Sequence, residues 1–208
     1  DRIVMTGNPI RKEIVPATPE MKEEAFRFYG LDPQKKHIFI VGGSLGSGTL
    51  NNAMKKWISD GCPGGKDIEV IWQCGKYYKK SVDAFMEEAK AAGKPVEGIQ
   101  YSDFIMRMDL AYADIVISRS GASSVSELCA AHKAVIFVPS PNVAEDHQTH
   151  NAMALVRKDA AMMVKDGEAV DAVTVTYGYR SFRVDAETGF WLNGKSVPLR
   201  GVCRHQDR

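Results

Sequence analysis

The sequence predicts an α/β fold, a parallel sheet followed by a short antiparallel β segment, and three observations carry that prediction. From Lys36 to Lys165 short apolar runs alternate with helical patterns, which is the grammar of βαβ units. The runs are rich in Ile and Val and alternate little, as expected of strands covered on both faces. After about Asp166 the helical patterns stop and period-two alternation replaces them.

Taken in order, strands are expected at His37–Val41, Ile68–Gln73, Ile99–Tyr101, Asp114–Ser118, Val135–Pro139 and Ala161–Lys165. Helical spacing places helices between them at Thr49–Ser59, Tyr77–Ala92, Arg107–Tyr112, Ser124–Ala131 and Gln148–Lys158. Beyond these, Val173–Thr176 and Arg180–Val184 read as strands with one exposed face. Phe190–Leu192, Asn193-Gly194 and Lys195–Leu199 read as a hairpin with a type I′ turn. The expected partition is therefore 1–168 and 169–208.

Composition bounds the function classes. With 44% apolar and 25% charged residues over 208 positions, the chain can bury a core and is not a disordered segment. Lys and Arg number 27 against 26 Asp and Glu, so no bulk field draws nucleic acid or an anionic membrane. No apolar run approaches the roughly 18 residues of a membrane span. The N-terminal stretch lacks a signal-peptide core, does not start with Met, and reads as the middle of a larger protein. Cys62, Cys74, Cys129 and Cys203 form no CxxC pair and suggest neither a disulfide framework nor a zinc site, which fits cytosolic thiols.

Parallel sheets bind ligands at the carboxyl ends of their strands, and three loops there carry chemistry. Val41-Gly42-Gly43-Ser44-Leu45-Gly46-Ser47-Gly48 follows the first strand and opens a helix. Its glycines allow close backbone approach, and a helix start offers amides to a phosphate. It is neither a Walker A motif nor a clean GxGxxG, and a tight turn without a ligand is the alternative. Ser118-Arg119-Ser120-Gly121-Ala122-Ser123-Ser124-Val125-Ser126-Glu127 also leads from strand to helix. It leaves room for a diphosphate, with Glu127 able to accept from sugar or ribose hydroxyls. Its alternative is a capping box in which Glu127 reaches back to the Ser124 amide.

The third loop, Pro139 to Asn151, contains Glu145, His147, Gln148 and His150. Two histidines three apart raise a metal site, but no further ligand cluster is evident. Hydrogen bonding by Gln148 or His147 at the mouth of the sheet is the stronger reading, beside a polar helix start with no ligand. Phe104-Ile105 can flank a planar base, although an ordinary core role fits an apolar pair better. Arg11, in Asn8-Pro9-Ile10-Arg11, can reach an anion or remain solvated.

Together these strings resemble the C-terminal domain of the MurG family, bacterial N-acetylglucosaminyltransferases of peptidoglycan synthesis. The resemblance covers roughly residues 3–168 and rests on GNPIR, VGGSLGS, DFI, SRSGASSVSE, FVPSP and EDHQTHNA in that order. It implies the Rossmann-like C-terminal half of a two-domain GT-B glycosyltransferase, the half that binds UDP-GlcNAc (UDP-N-acetylglucosamine). By that resemblance Arg11 and Ser44 contact the donor, Ser44 lying near the diphosphate, and Ile105 meets the uracil through its backbone. Ala122, Ser123, Ser124, Val125, Ser126 and Glu127 wrap the phosphates and ribose, and Gln148 reaches the sugar. Gly42, Gly43, Gly46, Phe104, Arg119, Gly121 and His147 are expected to support them.

The resemblance further implies an inverting transfer to lipid I that forms lipid II, with no metal or cofactor and no nucleic-acid partner. The catalytic base and the lipid I site belong to the family's N-terminal domain, and the parent enzyme to the cytoplasmic face of the plasma membrane. Two departures stand out: Leu110–Asp114 is slightly short for the family, and the domain's final helices do not follow. Instead, Tyr177–Val184, Gly189–Lys195 and Leu199–Asp207 resemble family 2 glycoside hydrolases, the β-galactosidase group, with His205 matching a histidine near that family's sugar site. The catalytic carboxylate pair such hydrolysis needs has no counterpart in the matching segment. The expectation is a donor-binding domain joined, near Asp166–Asp171, to a hydrolase-like fragment by a spurious join, and inactive alone. The alternatives are a β-galactosidase-like hydrolase fragment or a non-catalytic nucleotide-sugar-binding module.

Overall fold

The structure is a computed structural model, and it describes residues 8–104, 109–141 and 146–166, with the backbone of three short strands further on. The chain divides into two units, Asp1–Glu168 and Ala169–Arg208. The first unit opens with α1, Pro19–Tyr29, which the sequence reading left unassigned. Only Ala25 of this helix is fully buried, and Met21, Phe26 and Tyr29 pack beside it partly buried against the same core. Its ends are well marked. Thr18 Oγ1 accepts the Met21 N–H, Pro19 begins the helix, and Gly30 ends it in the left-handed conformation.

Then strand and helix alternate: β1 (Lys36–Val41), α2 (Gly48–Ser59), β2 (Ile68–Gln73), α3 (Lys79–Ala91), β3 (Ile99–Ser102), α4 (Asp109–Tyr112), β4 (Ile115–Ser118), α5 (Ala122–Ala130), β5 (Ala134–Phe137), α6 (His147–Val156) and β6 (Met162–Met163). The six strands form one parallel sheet in the order β3-β2-β1-β4-β5-β6. This is the doubly wound order, and its direction of growth reverses between β1 and β4.

Both faces of the sheet are covered, as the unbroken apolar strands predict. Phe39, Val41, Ile71, Val116, Val135 and Phe137 pack with α1, α4, α5 and α6 residues such as Ala25, Tyr112, Leu128 and Ala152. Ile40, Val70 and Trp72 point the other way, against Leu50, Met54 and Ile58 of α2 and Val82 and Met86 of α3. Successive strand residues thus feed opposite cores. No helix among the described residues is long and apolar enough to cross a membrane.

In the second unit, Phe182–Asp185 (β7), Gly189–Leu192 (β8) and Lys195–Ser196 (β9) pair antiparallel, with Phe182 opposite Leu192 and Leu192 opposite Lys195. The expected strand Val173–Thr176, the Asn193–Gly194 turn and His205 lie outside the described residues, as do Ile105, Glu145 and the expected helix start at Arg107.

Candidate functional site

Register places the two small-residue loops side by side. Val41, the last residue of β1, pairs with Ser118, the last of β4. The Gly42–Gly48 loop and the Arg119–Gly121 turn therefore leave from neighbouring points, at the place where the strand order reverses. In doubly wound sheets this is where a crevice opens for a ligand.

The first loop is held largely by itself. A Cβ on Gly42 would run into the Ser47 amide, and one on Gly46 would overlap the Cys74 carbonyl and Gly75. Gly75 is bare for the reciprocal reason, because a side chain there would strike Gly46. The requirement for glycine at 42 and 46 is therefore internal packing. Gly43 differs: it has φ +88° and nothing within 4 Å of a built Cβ. Ser44 follows it, and Ser47 caps α2 by accepting the Leu50 N–H at 3.3 Å.

Gln73 at the end of β2, absent from the sequence reading, ties this loop to the next. Its side-chain oxygen accepts the Gly42 N–H at 3.0 Å, and its amide donates to the carbonyls of Gly43 at 3.0 Å and Asp103 at 3.4 Å. The neighbouring Asp103–Phe104 turn follows β3, where Ser102 Oγ donates to the Phe104 carbonyl. Phe104 itself is 57% exposed, which corrects the ordinary-core reading. Leu45 and Tyr77 are exposed too, on the loops after β1 and β2.

The second loop overturns the capping-box reading. The helix starts at Ala122 rather than Ser124, with Gly121 as a cap that offers no side chain. Glu127 faces Arg11 instead, whose Nε and Nη2 donate to its two carboxylate oxygens at 3.0 and 3.1 Å. These bonds hold the guanidinium pKa above its ordinary value. Asn8 donates to Ser126 Oγ at 3.0 Å, so the Asn8–Arg11 segment lies along the start of α5. Ala122 and Ser123 are exposed there, while Ser124, Val125 and Ser126 are half-buried.

Arg119 points inward. Its Nη1 donates to the carbonyls of Val138 and Pro139 and sits 2.8 Å from Asp166, both side chains being mostly buried. It joins β4, β5 and the segment after β6 as a structural tie. Ser120 Oγ donates to the Gln148 carbonyl at 2.8 Å, and Asn151 donates back to the Ser120 carbonyl. The Gln148 side-chain oxygen accepts the Ser140 N–H at 2.9 Å. His147 begins α6 in an exposed position. No cluster of three metal-ligating side chains occurs among the described residues.

Ser44, Phe104, Glu127 and Gln148 thus all sit on loops or in the first two turns of helices at the carboxyl end of one sheet. Neighbouring parts of this surface are joined by Gln73, Arg11 and Ser120. Of the unpredicted residues, Gln73 had no local signal, since its role depends on which strands flank β2.

A doubly wound parallel sheet with small-residue turns at its reversal point is the Rossmann-like architecture found in GT-B glycosyltransferases. The chain belongs to glycosyltransferase family 28, whose C-terminal domain matches residues 37–174. Among curated relatives, the UDP-N-acetylglucosamine–N-acetylmuramyl-(pentapeptide) pyrophosphoryl-undecaprenol N-acetylglucosamine transferase of Parabacteroides distasonis is 52% identical over 175 residues. Its counterpart in Bacteroides thetaiotaomicron is 52% identical over 171. Each match takes in 81% of this chain and 44% of the relative, so the chain spans less than half the length of these proteins. Acinetobacter baumannii MurG superposes with a TM-score of 0.55 at 25% identity, covering 81% of this chain and 45% of that one. A glycosyltransferase from Rickettsia africae gives 0.56 at 18%, covering 80% and 44%, a likeness of fold.

Proposed function

We propose that residues 1–168 are the donor-binding half of an inverting transferase that moves N-acetylglucosamine from UDP-GlcNAc to lipid I, forming lipid II for peptidoglycan. The observation that carries this reading is the pairing of Val41 with Ser118. It sets the Ser44 loop and the start of α5 together, in a chain 52% identical to transferases of that name. In the reaction the acceptor 4-hydroxyl attacks the anomeric carbon, the bond from that carbon to the diphosphate oxygen breaks, and UDP leaves. The half described here holds the donor and offsets charge growing on the diphosphate, a task suited to helix-start amides and one guanidinium.

On this reading Ser44 and the amides around it meet the diphosphate, Glu127 meets the ribose, and Gln148 presents its amide nitrogen to the sugar. Ile105, Ala122, Ser123, Ser124, Val125 and Ser126 complete the wall. Arg11 and Glu127 neutralise each other without a ligand, so a donor must either accept the pair as it stands or exchange Arg11 onto phosphate. The catalytic base and the lipid I site belong to the rest of the relatives' length, and the parent enzyme to the cytoplasmic face of the plasma membrane. For residues 169–208, the resemblance to family 2 glycoside hydrolases is carried as a proposal without activity.

Calorimetry on the chain tests the reading. UDP-GlcNAc should bind more tightly than UDP, and UDP more tightly than CDP, with no transfer to lipid I. Equal responses to all three, or none, would count against it.

A further inference from the structure

Gln73 is only 1% exposed, yet it lies at the carboxyl end of β2, between the strands that carry the diphosphate loop and the base loop. A buried carboxamide needs partners, and this one finds them on both neighbours. It takes the Gly42 N–H and gives to the Gly43 and Asp103 carbonyls. The Gly46 N–H donates to the same Gly43 carbonyl at 3.0 Å. Two donors therefore fix the direction of that carbonyl.

The peptide joining Gly43 to Ser44 is planar and trans, so its N–H points opposite to its C=O. With the carbonyl drawn toward Gln73, the Ser44 N–H is turned away from it. Gly43 leaves the adjoining space open, with nothing within 4 Å of a built Cβ. We propose that Gln73 is a positioning residue for the donor: its carboxamide sets the Gly43–Ser44 peptide so that the Ser44 N–H meets the diphosphate. The inference rests on reading the Gly42–Gly48 loop as the diphosphate site, and adds the group that preorganises it.

Gln suits this place for a chemical reason. An ionised Glu accepts from Gly42 but sets an anion against two carbonyl oxygens. Met fills the volume with no polar group, and Asn is one methylene short. The test is calorimetry of the 208-residue chain with UDP and with uridine, on wild type, Gln73→Met and Gln73→Glu, each first shown to melt cooperatively. In Gln73→Met, UDP affinity should fall about tenfold, the scale of one lost hydrogen bond, and uridine affinity less than about twofold.

In Gln73→Glu, the UDP loss relative to wild type at the same pH should be large at pH 8. It should shrink toward pH 5, as the protonated carboxyl regains a donor for the Gly43 carbonyl. A merely structural residue would lower both ligands alike and show no such recovery. Unchanged UDP affinity, or parallel loss of UDP and uridine, in a folded variant overturns the inference alone. Should Gln73→Met fail to fold, the Gln73→Glu pH comparison decides. If wild type binds neither ligand, the donor-site reading falls and takes this inference with it.

Discussion

At the carboxyl ends of β1 and β2 the loops are packed main chain against main chain, whereas at the amino ends of the same strands they are tied by charged side chains. On one side Gly46 and Gly75 face each other with no room for a side chain. On the other, the buried His37 imidazole lies 3.3 Å from Glu69 and 3.7 Å from Asp114. Glu69 also accepts the Asp32 N–H and pairs with Lys35. Lys133, donating to the Ala113 carbonyl, extends this set along the amino ends of β4 and β5. On the proposed function the first end leaves amides and small hydroxyls for a ligand, while the second spends its polar groups on itself. Stability at the two ends should therefore answer to different perturbations.

The largest effect should come from Gly46→Ala, which adds a clash with Cys74 to a left-handed φ of +84°. A loss of about 4 kcal/mol is expected in urea unfolding, little changed by pH. Gly43→Ala, equally left-handed but unobstructed, should cost about 1 kcal/mol while weakening UDP binding. Equal losses at the two glycines would erase the distinction between a packing glycine and a ligand-facing one.

Next comes Lys133. Burial, with Lys22 nearby, pushes its pKa down to about 8 from an ordinary 10.5. Between those values the unfolded chain holds more protons than the folded one, so stability rises with pH across that window. Below about pH 8 the charged amine is buried at full cost. Relative to Lys133→Met, the wild type should gain up to about 3 kcal/mol between pH 8 and 10.5, read from paired urea melts. A flat difference would remove Lys133 from the amino-end set.

Glu69→Gln keeps an acceptor for Asp32 but removes the charge facing His37 and Lys35. It should cost about 2 kcal/mol and leave UDP affinity unchanged, since it lies at the far end of the strand. Loss of binding at unchanged stability would show the two ends to be coupled. The smallest effect is expected at Arg11 and Glu127, a bidentate pair whose Arg side chain is half-exposed. A double-mutant cycle to Ala should give about 0.5 kcal/mol of coupling to stability, falling with salt.

Much of this architecture was legible because it depends on local pattern. Five of the six strand cores stand where the apolar runs placed them, and β6 shrinks to Met162–Met163 within its run. The misses have physical reasons. α1 precedes the strand–helix alternation that begins at Lys36, and its own signal lies in the caps Thr18, Pro19 and Gly30. α5 starts early because Gly121 turns the chain into it, so Ser124 becomes the third residue of the helix rather than its cap. Arg119, expected to support the loop, does so by facing three internal oxygens, a role its motif does not reveal. Gln73 looked like the end of a strand, and its work appears only once β1 and β3 are known to flank it. Sequence pattern locates loops well, whereas side-chain direction within them is set by strand order, which no single motif records.

The mostly buried Arg119–Asp166 pair bears on how the first unit can be shortened. Asp166 lies beyond the last strand, so the final stretch of that unit is a counterion as well as a connector. A deletion that removed it would strand a guanidinium in the interior. The shortest autonomous piece of this unit is thus limited by a single charge, three residues after the sheet itself is complete.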